Sequence, residues 1–302
     1  MAESLPIIFA DLDIPNVLAF TTLRGFSSEF GASQAAYSRW NLGAHVGDSP
    51  EAVASNRKQL QTVLGRLSSS PASTTAEDAF WPNAANNFAP ATTDSPEGVH
   101  APFWLNQVHG TRVVEAVEAN TYEDTPTADG AWTATPNVPC VVMTADCLPL
   151  VFAAQDGSEI AVIHAGWRGL CDGILAAAVA ALPSPSQKLK VWMGPAIGPK
   201  AFEVGEDVRH AFISRMGQPA AQHFLDKNSA KPSGSEGGAS VGAKKYFADL
   251  YGLARLQLRT LGVDQISGGG HCTYSEEDRF FSYRRNGVTG RMATVAMIRP
   301  AH

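Results

Sequence analysis

The chain has 302 residues, 44% of them hydrophobic, and a formal charge of −6, which supplies apolar material for one large core or two small ones. The acidic balance, with no run of basic residues, argues against nucleic acid and anionic membrane surfaces as partners. No stretch reaches the roughly 18 uninterrupted apolar residues of a membrane span, the N-terminus carries Asp11 and Asp13 instead of a basic segment and an apolar core, and four cysteines without a C-x-x-C pair form no disulfide framework; the expectation is a cytoplasmic protein with reduced thiols.

Val17 to Thr22 reads as a first strand. Asp48-Ser49-Pro50-Glu51 reads as a helix start, with proline at the first helical position and a capping Asp or Ser before it. Val53, Leu60, Val63, Leu64 and Leu67 follow at helical spacing. Ser68 to Pro102 is rich in Ser, Ala, Thr, Asn and Pro without periodicity, and Asn228 to Gly242 is a Gly/Ser-rich loop; both read as surface insertions within a single domain spanning 1–302. Between them Cys140–Thr144, Pro149–Ala153, Ile160–Ala165 and Leu189–Met193 are short apolar strands, and Met292–Ile298 closes the chain as another. Gly173–Leu182, Glu206–Met216 and Tyr246–Leu261 read as helices, the last with Leu250, Leu253, Ala254, Leu258 and Leu261 on one side. The fold class is therefore α/β (α+β), with mixed sheets covered by helices.

Three segments carry metal-competent side chains beside glycine or small residues near the ends of apolar strands: Gln107-Val108-His109-Gly110, Thr144-Ala145-Asp146-Cys147 and His164-Ala165-Gly166-Trp167-Arg168. Two imidazoles and a thiolate suit zinc, and three protein ligands leave one coordination position for water or substrate, the pattern of a catalytic site. Asp146 either orients a ligand or moves a proton, or else caps a turn. Cys147 has a second role open to it, as the nucleophile of a Cys-His pair. Asn41 is either a donor and acceptor for a purine or ribose edge, or an Asx-turn residue. Arg168, Arg284 and Arg285 are candidate anion clamps; strand-like alternation through Phe280–Arg285 would point only one of the last two at a pocket. Gly194-Pro195-Ala196-Ile197-Gly198-Pro199 reads as a rigid turn near the pocket, without the glycine pattern of a phosphate loop. Cys140, Cys171 and Cys272 read as packing residues, and the remaining histidines, His45 among them, show no ligand pairing.

Together NLGAHVGD, NQVHG, MTADCLPLVF, IHAGWRGL, GPAIGP, FEVGE and CTYSEEDRFFSYRRNGVTGRMA resemble the YfiH family, whose members are also called laccase-domain proteins, polyphenol oxidases and peptidoglycan editing factors. The resemblance implies a layered sandwich of mixed sheets flanked by helices. It implies a zinc site on His109, Cys147 and His164, a nucleoside pocket that includes Asn41, and phosphorolysis of adenosine, inosine and methylthioadenosine with adenosine deamination as a side activity. On that reading Cys147, Asp146 and Arg284 serve the chemistry, and Asn41 and Arg168 bind substrate. The partners are then a purine nucleoside and phosphate, acted on by a monomer or homodimer. The rivals are a Cys147-dependent hydrolase of peptidoglycan precursors and a copper-dependent polyphenol oxidase. The second is weakened by eight histidines without one H-x-H pair, although copper can replace zinc at N/S ligands.

Overall fold

Alternation along the strands sets the architecture. In Leu148–Ala154, Leu148, Leu150 and Phe152 enter one buried layer and Val151 and Ala153 another, so this strand needs apolar cover on both faces. A computed structural model describes residues 3–25, 30–69, 80–81, 99–118, 124–227 and 244–300. The stretches 68–102 and 228–242 lie outside the described residues except for 68–69, 80–81 and 99–102.

Two sheets pack face to face. The first has six strands in the order Gln265–Gly268, Leu189–Met193, Leu148–Ala154, Ile160–Ala165, Gly130–Thr133 and Val113–Glu115. Its two outermost pairings are parallel and the rest antiparallel, a mixed sheet. The second is antiparallel throughout, ordered Ile7–Phe9, Val17–Thr22, Met292–Ile298 and Cys140–Thr144. Val17, Ala19, Cys140, Val142, Ala296 and Ile298 of the second sheet meet Val151, Ala153, Ile160 and Val162 of the first in one apolar layer. The outer face of the four-stranded sheet, with Leu18, Phe20, Val141 and Val295, is covered by Leu60, Val63 and Leu64 of the helix Pro50–Ser69. The outer face of the six-stranded sheet is covered by the helices Trp167–Asp172, Ile174–Ala181, Glu206–Met216 and Leu250–Thr260. A small antiparallel sheet of Glu203–Gly205, Lys245–Ala248 and Phe224–Asp226 flanks them.

Most expected elements form. The helix after Ser49 begins at Pro50, and Ser49 Oγ accepts the Ala52 N–H. Two expectations need correction. The helix expected from Tyr246 begins only at Leu250, because Tyr246 and Ala248 alternate inward as a strand before Asp249 caps the helix by accepting the Gly252 N–H. Phe280–Arg285 is not an alternating strand: Ser282 caps a short helix, Tyr283–Asn286, by accepting the Arg285 N–H.

One buried side chain fixes the loop that precedes the first helix. Asn56 accepts the Ala32 N–H at 2.7 Å and donates to Ser33 Oγ, to the Arg39 carbonyl and, at 2.7 Å, to the Asn41 carbonyl. These bonds tie 31–41 to the helix, and hence the chain leading to Gly43 and His45. Asn56→Ala strands several buried polar groups, each costing about 1–3 kcal/mol; we expect a loss of roughly 2–4 kcal/mol in urea unfolding, and a smaller loss would show that the loop holds itself.

Candidate metal centre

The second and sixth residues of a strand point to opposite faces from the third and fifth. In Ile160–Ala165, Ile160 and Val162 enter the layer between the sheets, and His164 follows on the same face. In Cys140–Thr144 the same argument carries Thr144 to the inter-sheet side after Cys140 and Val142. His164 and Thr144 thus reach one open end of the sandwich, where the turn 145–147 brings Cys147.

The third member arrives on a loop. His109 has φ +61°, a left-handed conformation uncommon for a residue with a side chain. A buried carboxylate holds it there. Asp129 Oδ1 accepts the His109 N–H at 2.8 Å, and Oδ2 accepts those of Gly110 at 2.7 Å and Val108 at 3.3 Å. Gln107 secures the loop's other side, exchanging two hydrogen bonds with the main chain of Met143. Gly166 makes the close approach feasible, since a Cβ there would lie 2.5 Å from His109 Cδ2.

The three potential ligand atoms lie within 4.8 Å of one another, and no other group of His, Cys, Asp and Glu among the described residues does so as a candidate. Cys147 Sγ is 3.7 Å from His109 Nε2. A tetrahedral ion about 2.3 Å from sulfur and about 2.0 Å from nitrogen holds those atoms roughly 3.5 Å apart. The residues therefore fit a metal ion. Asp129 Oδ1 also meets His164 Nδ1 at 2.8 Å, which places the ring proton on Nδ1 and leaves the Nε2 lone pair for the cluster, the carboxylate–histidine arrangement of metal sites.

The electrostatics agree. Burial would raise the Asp129 carboxyl, but the His164 ring and the loop N–H groups outweigh it and hold the group below its ordinary value. Burial would also raise the Cys147 thiol; His164 and His109 outweigh it and favour thiolate. Burial would lower His164, while the thiolate and Asp129 raise it. Both directions favour the thiolate that a metal cation would need, and such a cation would compete with protons for the site.

A cleft of about 370 Å³ opens onto the cluster, lined by His45, Gln107, His109, Met143, Thr144, Ala145, Cys147, His164, Tyr283 and Arg291. The structure brings His109, Cys147 and His164 together, and it adds Asp129, His45, Tyr283 and Arg291, which the sequence does not single out for this site. The signals for Asp129 were faint: a lone acid before Gly130 at the start of a short strand.

Other expected site residues lie elsewhere. Asn41 is fully buried, and its amide oxygen accepts the Gly43 and Arg291 N–H groups while its nitrogen donates to Asp48 Oδ2 and the Gly43 carbonyl. All its capacity is used internally, which fits the Asx-turn alternative. Asp146 Oδ1 accepts from the Thr273 hydroxyl and Oδ2 from the Arg284 N–H, both at 2.6 Å, so the capping alternative fits it. The Arg284 guanidinium donates to the Glu203 carbonyl and lies over Phe202. That of Arg285 donates to the carbonyls of Thr273, Tyr274 and Phe280. Arg168 is exposed over the ring of Trp167. None of these five lines the cleft. The turn 194–199 stands behind the site, with the Ile197 N–H bonded to the Asp146 carbonyl. Cys140 and Cys171 pack in the core, whereas Cys272 is half-buried and its sulfur accepts the Gly198 N–H.

A family model described as multi-copper polyphenol oxidoreductase laccase matches residues 19–76 and 83–299. The chain is 40% identical over 268 residues to a Pseudomonas aeruginosa protein named purine nucleoside phosphorylase PA4543, covering 89% of each. It is 39% identical over 264 residues to Escherichia coli purine nucleoside phosphorylase YfiH, covering 87% of this chain and 88% of that one. Among solved structures, Neisseria meningitidis protein NMB0706 superposes with a TM-score of 0.77 at 39% identity, covering 98% of this chain and all of the other.

Asp129→Asn keeps the shape but removes the charge that orients His164. We expect metal affinity to fall about 10–100-fold in competition with a chromophoric chelator; unchanged affinity would show that Asp129 acts on the loop alone.

Proposed function

Since the chain belongs to the YfiH family, with relatives about 40% identical along most of its length, we propose that it is a zinc-dependent purine nucleoside phosphorylase. Its substrates on this reading are adenosine, inosine and methylthioadenosine, with adenosine deamination as a side activity. The observation that carries the proposal is the His109–Cys147–His164 cluster at the base of a cleft of small-molecule size. His109 Nε2, Cys147 Sγ and His164 Nε2 would hold the ion. When bound, zinc supplies a Lewis acid with one open coordination position.

Phosphorolysis breaks the bond between the ribose anomeric carbon and the purine nitrogen, forms one from that carbon to a phosphate oxygen, and leaves the purine with a proton. The chain's own groups prepare this reaction in distinct ways. Asp129 fixes the His164 tautomer and holds His109 in place. Tyr283, 61% exposed at the cleft, offers an aromatic face against which a purine can stack. Met143 and Ala145 give the wall an apolar surface that displaces water from the sugar. All four cysteines are free, which suits a reducing compartment, and we propose a cytoplasmic location on that ground; no described helix is long and apolar enough to cross a membrane.

The family description mentions several coppers, but among the described residues there is one three-ligand cluster, too few side chains for a set of coppers bridged by imidazoles. A Cys147 hydrolase needs one base beside a free sulfur; here two rings converge on it, which suits a ligand better than a nucleophile.

The test is hypoxanthine release from inosine by metal-quantified protein, with and without phosphate. Phosphate-dependent release is expected, falling at least about 100-fold in Cys147→Ala, as loss of a metal ligand should. Phosphate-independent release, or none from fully zinc-loaded protein, would overturn the proposal.

A further inference from the structure

Among the described residues three buried side-chain atoms have no hydrogen-bond partner, and one of them belongs to a residue that lines the cleft beside the His109–Cys147–His164 cluster. Thr144 is 1% exposed, and its hydroxyl has no hydrogen-bond partner. A buried hydroxyl without a partner is unfavourable and rare, and in a binding site water or a ligand can supply the missing bond. Thr144 lines the cleft with its chain neighbours Met143 and Ala145, on the inter-sheet face shared with Val142.

Arg291 comes to the same cleft from the opposite edge of that sheet pairing, one residue before Met292, the partner of Thr144. Its position is built by neighbours. Asn41 Oδ1 accepts its N–H at 2.8 Å, and Gly43 leaves room for its side chain, since a Cβ on Gly43 would lie 2.8 Å from Arg291 Cγ. Nη1 spans the carbonyls of Thr289 and Gly290, each at 3.0 Å. Nε and Nη2 are then left as donors without a protein partner among the described residues. His45 lines the cleft as well, in surroundings dominated by Arg291, Arg57 and His164, and no Asp or Glu is among the lining residues.

A wall with cationic donors, an orphaned hydroxyl and no carboxylate suits a tetrahedral oxyanion. Guanidinium offers paired donors to two of its oxygens, and the hydroxyl a third. We propose that Thr144 Oγ1 and the Nε and Nη2 edge of Arg291, with His45 beside them, form the subsite that binds inorganic phosphate next to the metal centre. This deepens the phosphorylase reading and rests on it. It also assigns the anion-binding role to Arg291 in place of Arg168 and Arg284.

The experiment uses full-length zinc-loaded protein and four variants: Thr144→Val, Thr144→Ser, Arg291→Gln and Arg291→Lys. Zinc content and thermal melting are recorded for each. Phosphate and inosine are varied separately in the hypoxanthine assay, and inorganic phosphate is titrated calorimetrically. We expect the KM for phosphate and its calorimetric Kd to rise about tenfold in Thr144→Val and about 100-fold in Arg291→Gln, while the KM for inosine stays within about twofold. Thr144→Ser should restore phosphate affinity, and Arg291→Lys should restore only part of it because it loses the paired donors. Thr144→Val should melt no lower than the parent, since its hydroxyl has no protein partner to lose. Phosphorolysis with phosphate affinity unchanged in both Thr144→Val and Arg291→Gln would overturn the subsite and leave the phosphorylase standing. Phosphate binding that depends on both residues, without hypoxanthine release, would support the subsite and overturn the phosphorylase. Neither binding nor release would overturn both.

Discussion

The Asp129 carboxylate stands fully buried among four donors: three consecutive main-chain N–H groups of Val108, His109 and Gly110, and the Nδ1 of His164. Removing a carboxylate from water is strongly unfavourable unless its oxygens are bonded, and here each oxygen accepts two of those groups. The same bonds hold His109 in its left-handed conformation and set which nitrogen of His164 carries a proton. Two ligands far apart in sequence are thereby oriented by one charge. The main chain adds to this, with the His164 N–H donating to the Asp129 carbonyl at 2.7 Å.

The fold places that carboxylate where it can act. Gly130–Thr133 lies next to Ile160–Ala165, pairing Gly130 with Ile163, so Asp129 and His164 emerge together at one end of the six-stranded sheet. Cys140–Thr144 of the other sheet ends there too. Apolar layers lock both sheets, and a site assembled from strand ends inherits their rigidity. Gly166 completes the assembly by letting the His109 ring approach the start of the helix Trp167–Asp172.

The three metal-competent residues and most strands were legible because their signals are local: an apolar run, then His or Cys beside a small residue. The roles of Asn41, Asp146 and Arg284 are not legible locally, for a common physical reason. Each is polar in a loop or turn, and whether its hydrogen bonds face a substrate or the protein depends on partners as distant as Arg291, Thr273 and Glu203. Asp129 was missed on the same ground, since its donors lie up to 35 residues away. Arg291 and His45 have ordinary local surroundings and become notable only when the cleft brings them together. Tyr246–Ala248 reads as part of the next helix because the strand Lys245–Ala248 is only four residues long, whereas the helical face from Leu250 onward is strong. We propose that the described residues form one domain, since the apolar layers run through both large sheets and their helices; the insertions expected at 68–102 and 228–242 lie outside the described residues except for 68–69, 80–81 and 99–102.

The central claim is a one-sulfur, two-imidazole metal centre, and X-ray absorption at the zinc edge of the purified protein tests it most directly. One Zn–S distance near 2.3 Å with two imidazole nitrogens near 2.0 Å, at one zinc per chain and with the sulfur contribution absent in Cys147→Ser, is the predicted result. A spectrum without sulfur, or one unaltered by Cys147→Ser, would contradict the account.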